Sequence, residues 1–188
     1  MHKFSEPIPF EDDVVAEIDL AGMGGLVGQD LVDAQKNLPA ANFLNVPVDD
    51  DFDFWLHLLN KATGKPLEFF EQLPDLEWDA LRTAALKAMI DEAEMPEALE
   101  EDRYTARAMA KVQRSLTFRE NMINYPANNI SYCLSVYATL TGESLAALLE
   151  RRAGTAMMIF LQVRNHFFGL ARLPAKKSPE SSGGTAST

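Results

Sequence analysis

Two stretches set 78 residues apart are written alike, and a helical unit that occurs twice constrains the fold because each copy needs a neighbour to cover its apolar face. ATGKPLEFFEQLP at 62–74 and ATLTGESLAALLERR at 138–152 each read as a helix end, a Gly stop and a new helix. With Gly64 aligned on Gly142, Trp55 falls on Cys133, Leu56 on Leu134, Leu58 on Val136, Leu59 on Tyr137 and Leu67 on Leu145. Gly after an apolar-periodic run supplies the left-handed residue that ends a helix. The expected unit is helix, Gly stop, short helix, longer helix, present twice. Thr-Gly helix ends recur by chance; the matched apolar positions upstream favour duplication or mimicry.

Ahead of the repeat, KFSEPIPFEDDVVAEIDL predicts a β-hairpin, with extended stretches at 3–10 and 14–20 around the polar Glu11-Asp12-Asp13. Val14, Ala16, Ile18 and Leu20 alternate with Val15, Glu17 and Asp19, the period of a half-buried strand. Pro7 and Pro9 confine the first strand to an edge. Gly22, Gly24 and Gly28 then raise a dinucleotide loop, but G-x-G-x-x-x-G is one residue too long and no parallel βαβ pattern surrounds it. A flexible exit from the hairpin is expected there, followed by a helix with Leu26, Val27, Leu31 and Ala34 on one face.

In the first unit, residues 49–64 read as a regular helix that Gly64 stops after Lys61; Asp49, Asp50 and Asp51 supply its N-cap and favour its N-terminus, and capping accounts for them better than a cation site does. The short helix after Pro66 is expected to turn Leu67, Phe70 and Leu73 inward and Phe69 elsewhere, and a helix from about 75 to 93 to carry Leu76, Leu81, Ala85 and Met89 near one face. An acidic hinge at 91–102, broken by Pro96, leads to a helix on which Arg103, Arg107, Lys111 and Arg114 share a face. Residues 116–129 read as irregular, and Asn128 or Asn129 can cap the helix beginning ISYCLSVY. The fold class is mainly α within α+β: an N-terminal β-hairpin followed by a helical bundle of two related helical units, divided 1–95 and 96–172. The Ser/Gly/Pro-rich 173–188 is expected to be disordered.

Charge divides the same way. Residues 1–102 carry 24 acids and 6 bases, a net −18, whereas residues 103–188 carry 4 acids and 11 bases, a net +7. The halves can attract each other, within a chain or between copies, or the basic half can hold an acidic partner. The stripe Arg103/Arg107/Lys111/Arg114 lacks the interleaved aromatics of a single-strand binder, which argues against nucleic acid. His2, His57 and His166 lie in no metal-ligand spacing with each other or with Cys133, and no P-loop or nucleophile elbow is present. The sequence therefore predicts no catalytic residue, cofactor or metal and no enzyme. Cys133, on an apolar face, reads as a small hydrophobe. No apolar run reaches membrane-span or signal-peptide length, so a cytoplasmic, non-membrane protein is expected. Phe69 and the run Met157, Met158, Ile159 and Phe160, together with Phe167 and Phe168, continue around their helices as if to meet a partner as well as the core.

FSEPIPFEDDVVAEIDL, then LVGQDLVDAQ, then LLNKATGKPLEFFEQLPDLEWDAL resemble the tail assembly chaperones of long-tailed bacteriophages and prophages, whose order is helix, A-x-G-x-P-x-E-F-F-x-x-L-P, helix. The resemblance covers about the first half of the chain; the second half is longer than in short members of that family. It implies a small helical protein of the host cytoplasm that forms a homo-oligomer on the tape measure protein, keeps it soluble, recruits tail tube protein and is left out of the mature virion. It assigns no individual functional residue. The speculative partner-binding residues are Phe69, Met157, Met158, Phe160, Arg103, Arg107, Lys111 and Arg114. Two other readings remain: a helical binding or regulatory module that uses the basic face for nucleic acid or an acidic protein, and a structural subunit kept in the virion.

Overall fold

Asp51 and Asn129, 78 residues apart, do the same work. The Asp51 carboxylate accepts the Phe54 N–H at 3.1 Å and the Asn129 amide oxygen accepts the Tyr132 N–H at 2.9 Å. Each starts a helix of the same length, ended by Gly64 at φ 71° and Gly142 at φ 80°. The computed structural model describes residues 1–38, 47–99, 107, 110, 111, 114 and 128–171, the last five of these by backbone only. Its helices are α1 (Ala21–Gly25), α2 (Gly28–Lys36), α3 (Phe52–Thr63), α4 (Leu67–Glu71), α5 (Asp75–Asp91), α6 (Ile130–Thr141), α7 (Leu145–Glu150) and α8 (Ala153–Ala171), with a 3-10 turn at Val48–Asp50.

The offset of 78 therefore relates the starts of all three helices in each unit: 52 and 130, 67 and 145, 75 and 153. It reaches into the bonding. Thr63 Oγ1 donates to the Leu59 carbonyl at 2.7 Å and accepts from Lys65 N–H at 3.2 Å; Thr141 Oγ1 donates to Tyr137 at 2.9 Å and accepts from Glu143 N–H at 3.4 Å. The aligned pairs Trp55 and Cys133, Leu56 and Leu134, Leu58 and Val136, and Leu59 and Tyr137 are buried on both sides. So are Leu81 and Ile159, and Ala85 and Val163. The two units share one hydrophobic core with the hairpin.

The hairpin has β1 (His2–Phe10) antiparallel to β2 (Asp13–Ile18). Phe10, Pro9 and Ile8 pair with Asp13, Val14 and Val15; β1 then advances five residues while β2 advances two, so that Lys3 meets Glu17 and His2 meets Ile18. This bulge changes which face looks inward. Val15, Ile18 and Leu20 are buried while Val14 and Ala16 are exposed, so the alternation read from the sequence holds only for Ile18 and Leu20. Along the outer edge of β1, Glu77 accepts the Ser5 N–H at 2.9 Å and Gln72 donates to the Pro9 carbonyl at 3.2 Å. With Pro7 and Pro9 lacking N–H groups, that edge is closed to another strand.

The Gly-rich exit is not the flexible connection expected from the sequence. It is α1, packed on α3 and α5, and two of its glycines, Gly22 and Gly24, are there for close approach. A Cβ on Gly22 would overlap the Ala62 carbonyl oxygen. Gly28, at the start of α2, gives its N–H to the Arg151 carbonyl at 2.8 Å, and Ala153 N–H returns to the Leu26 carbonyl at 2.8 Å. This short antiparallel bridge fastens the first segment to the second unit. Leu26 and Val27, expected on the following helix, form the link between α1 and α2.

Asn128 and Gln35 make a buried polar knot beneath the second unit. Gln35 Nε2 donates to the Asn128 carbonyl at 2.7 Å, Gln35 Oε1 accepts the Ile130 N–H at 2.8 Å, and Asn128 Oδ1 accepts the Val48 N–H at 2.7 Å. After α5, residues 92–99 run along α8. Thr155 Oγ1, itself buried, accepts from Glu94 N–H at 3.0 Å and donates to the Glu94 carbonyl at 2.9 Å. Ala93, Pro96 and Leu99 are the half-buried positions of that run, a period of three suited to an extended left-handed chain.

Candidate partner-binding site

The structure corrects the expected apolar surface. Phe69, Met157 and Phe160 have no accessible surface. Phe69 sits edge-on among Phe4, Phe10 and Phe70, with ring centroids at 6.1, 5.4 and 5.2 Å, because the hairpin covers the side of α4 that the helix pattern leaves open. Met157 and Phe160 lie on α8, which packs against α2, α5 and α6, and a helix with neighbours on several sides buries an apolar run that continues around it. Met158 is half-buried. Arg107, Lys111 and Arg114 are helical and exposed; Arg103 lies outside the described residues, as do the expected irregular segment before Asn128 and the 173–188 tail.

The exposed bulk is elsewhere. Leu76 is 85% exposed, against the expectation that it shares the inner face of α5 with Leu81, Ala85 and Met89. Five residues separate Leu76 from Leu81, about 140° around a helix, which turns Leu76 outward. It borders an open groove of about 360 Å³ between the bulged part of β1 and the start of α5. Glu6, Pro7, Pro9, Pro74, Leu76 and Glu77 shape its walls, and among the described residues no basic side chain lines it. One residue beyond Glu77, Trp78 packs against the exposed Phe52 with centroids 4.4 Å apart and the rings tilted by 45°. Leu76 and the prolines of the groove form an apolar margin flanked by the carboxylates of Glu6 and Glu77. A Leu in the first turn of a helix, preceded by Pro, was the available signal; its direction depended on where the hairpin lay.

The Asp triplet is fully engaged in structure. Asp51 caps α3, Asp50 pairs with Arg82 of α5 at 2.9 Å, and Asp49 pairs with Arg164 of α8 while its carbonyl accepts the Trp55 indole N–H at 2.6 Å. One acidic run thereby holds the long third helix of both units. The Arg164 guanidinium also lies over the Phe160 ring, 5.1 Å from its centroid. The Asp49–Arg164 pair is a direct contact between the acidic and basic halves.

Burial pushes the Cys133 thiol far above its ordinary range, opposed only weakly by Arg164, so the thiolate that reaction or metal ligation needs is not formed at neutral pH. Burial lowers the His2 pKa, with the Glu77 carboxylate pulling the other way. The Ser5 hydroxyl and N–H hold Glu77 itself below the usual carboxylate range, so it keeps its charge beside the groove. Among the described residues no group of three His, Cys, Asp or Glu side chains is placed to hold a metal ion, and no helix is long and apolar enough to cross a membrane. The arrangement offers shape, apolar contact and negative charge to a partner. In comparisons with protein-family models, with curated proteins and with solved structures, no match to this chain is found.

Proposed function

We propose that this chain is a tail assembly chaperone of a long-tailed phage or prophage, binding and solubilising the tape measure protein and helping to recruit tail tube protein during morphogenesis. The reading is carried by the ordered resemblance of FSEPIPFEDDVVAEIDL and LLNKATGKPLEFFEQLPDLEWDAL to that family. The same two stretches supply most of β1, all of β2, the second half of α3, α4 and the first turns of α5, and both walls of the exposed groove come from them. An apolar margin with carboxylates around it suits a long helical client with apolar and basic residues. In this reading the chain acts as a homo-oligomer in the host cytoplasm and leaves the assembly before the virion is complete.

Affinity capture of the tagged chain from cells expressing its neighbouring genes, followed by mass spectrometry, tests this. Copurification of a very long helical protein, reduced by Leu76→Asp, is the expected result; its absence when the neighbour is soluble and expressed overturns the reading. The exposed helical face Arg107, Lys111 and Arg114 favours a second reading, a module for nucleic acid or an acidic protein. Retention on nucleic acid that falls steeply with salt and is lost when these three become Glu would support it.

A further inference from the structure

The polar side chains of the groove between β1 and the start of α5 leave acceptors open and spend their donors within its walls. Ser5 gives both its N–H and its hydroxyl to Glu77, and Gln72 gives an amide N–H to the Pro9 carbonyl at 3.2 Å. Pro7, Pro9 and Pro74 have no backbone N–H to offer. Both bonds from Ser5 end on one oxygen of Glu77, Oε1, so Oε2 has no partner among the described residues. The exposed Glu6 carboxylate, on the β1 wall, makes no hydrogen bond or ion pair with the described residues either. His2, which feels the Glu77 charge, is kept neutral near pH 7 by burial and does not answer it. Elsewhere the chain matches its acids internally, Asp30 with Lys61, Asp50 with Arg82 and Glu143 with Arg151. The rest of the groove lining is apolar, and its volume of about 360 Å³ admits a side chain or two rather than a folded surface.

We propose that this groove seats one long cationic side chain, arginine or lysine, carried by an otherwise apolar segment of a protein partner. The aliphatic stem lies on the prolines and Leu76, as amphipathic side chains bury their methylenes, and the head supplies the cation that Glu6 and the open oxygen of Glu77 lack. The same groove on a second copy is refused, because it would set carboxylates against carboxylates. The proposal deepens the chaperone reading by naming what the client must present, and it rests on that reading only in treating the groove as a partner's seat.

The test titrates the ¹⁵N-labelled full-length chain with two capped peptides, acetyl-Leu-Arg-Leu-amide and its citrulline counterpart, which has the same shape without the charge. The arginine peptide is expected to shift the amides of Ser5, Ile8, Leu76 and Glu77. It should bind about fivefold more tightly than the citrulline peptide, the difference that two exposed ion pairs give. That ratio should vanish when Glu6→Gln and Glu77→Gln are combined. The double variant folds normally, since Glu6 is in solvent and an amide oxygen in place of the Glu77 carboxylate still accepts the Ser5 N–H. The ratio should persist in Glu68→Gln, an exposed acid outside the groove. Equal binding of the two peptides, a ratio that survives the double substitution, or no shift at the groove overturns the proposal. Capture of a tape measure protein undiminished by the double substitution overturns it as well and leaves the chaperone reading standing; charge-dependent peptide binding without any such capture does the reverse.

Discussion

Gln35 shows how one polar side chain organises a core. It is buried, and its amide answers both the Asn128 carbonyl and the Ile130 N–H at the start of α6. Gln35→Leu keeps the volume but strands two buried backbone groups, so a loss of about 2–4 kcal/mol in urea unfolding is expected. Gly154 is constrained by space, because its missing Cβ is where the Met89 carbonyl oxygen sits. Gly154→Ala should cost about 1–3 kcal/mol by forcing α5 and α8 apart, read as a lower denaturation midpoint with the slope unchanged. His2 makes stability depend on pH. Its folded pKa is lowered, so the unfolded chain takes up the proton first, near its ordinary value of about 6.5. That stability is complete above about pH 6.5 and is lost as the pH falls toward the lower folded pKa. Glu77, whose folded pKa is also lowered, adds a further loss below the ordinary carboxylate range. Denaturation midpoints should fall on acidification, and His2→Asn should flatten the part that begins just below the ordinary histidine value of about 6.5.

At the scale of elements, the two Gly stops provide a matched pair. Nothing lies within 4 Å of a Cβ placed on Gly64 or Gly142, and both backbones are left-handed. Gly64→Ala and Gly142→Ala should therefore each cost about 1 kcal/mol, the backbone term alone, and the two costs should be similar. Unequal costs in thermal unfolding would show that the two helix ends differ in more than sequence. The 3.6-residue period and the caps made these helices legible: Gly64 and Gly142 stand where expected, and of the cap candidates Asp49–Asp51 and Asn128 or Asn129 the structure uses Asp51 and Asn129. The hairpin was legible in outline, but its bulge was not, because a slip in register depends on what Glu77 and Gln72 hold from outside the sheet. The helix α1 was missed since its three glycines argue against a helix in isolation; tight packing against Ala62 and Glu92 overrides that propensity.

For the whole molecule, one core and an ion pair across the halves predict one cooperative transition. Trp55 and Trp78 both report on the first unit, and Cys133 reports on the second. Tryptophan fluorescence and pulsed labelling of Cys133 should give the same urea midpoint. Two midpoints would show that the units unfold separately despite their shared interior.

What the sequence determined by itself is local and periodic: the class of fold, the repeated helix–stop–helix unit, the caps and the charge division, since each follows from neighbouring residues and backbone sterics. Which apolar residues meet solvent was decided only by the tertiary structure. Phe69, Met157 and Phe160 were candidates for a partner and Leu76 for the core, and the fold reverses all four assignments. A period shows that a face is apolar but not how many neighbours the helix will have, and those neighbours come from strands and helices tens of residues away.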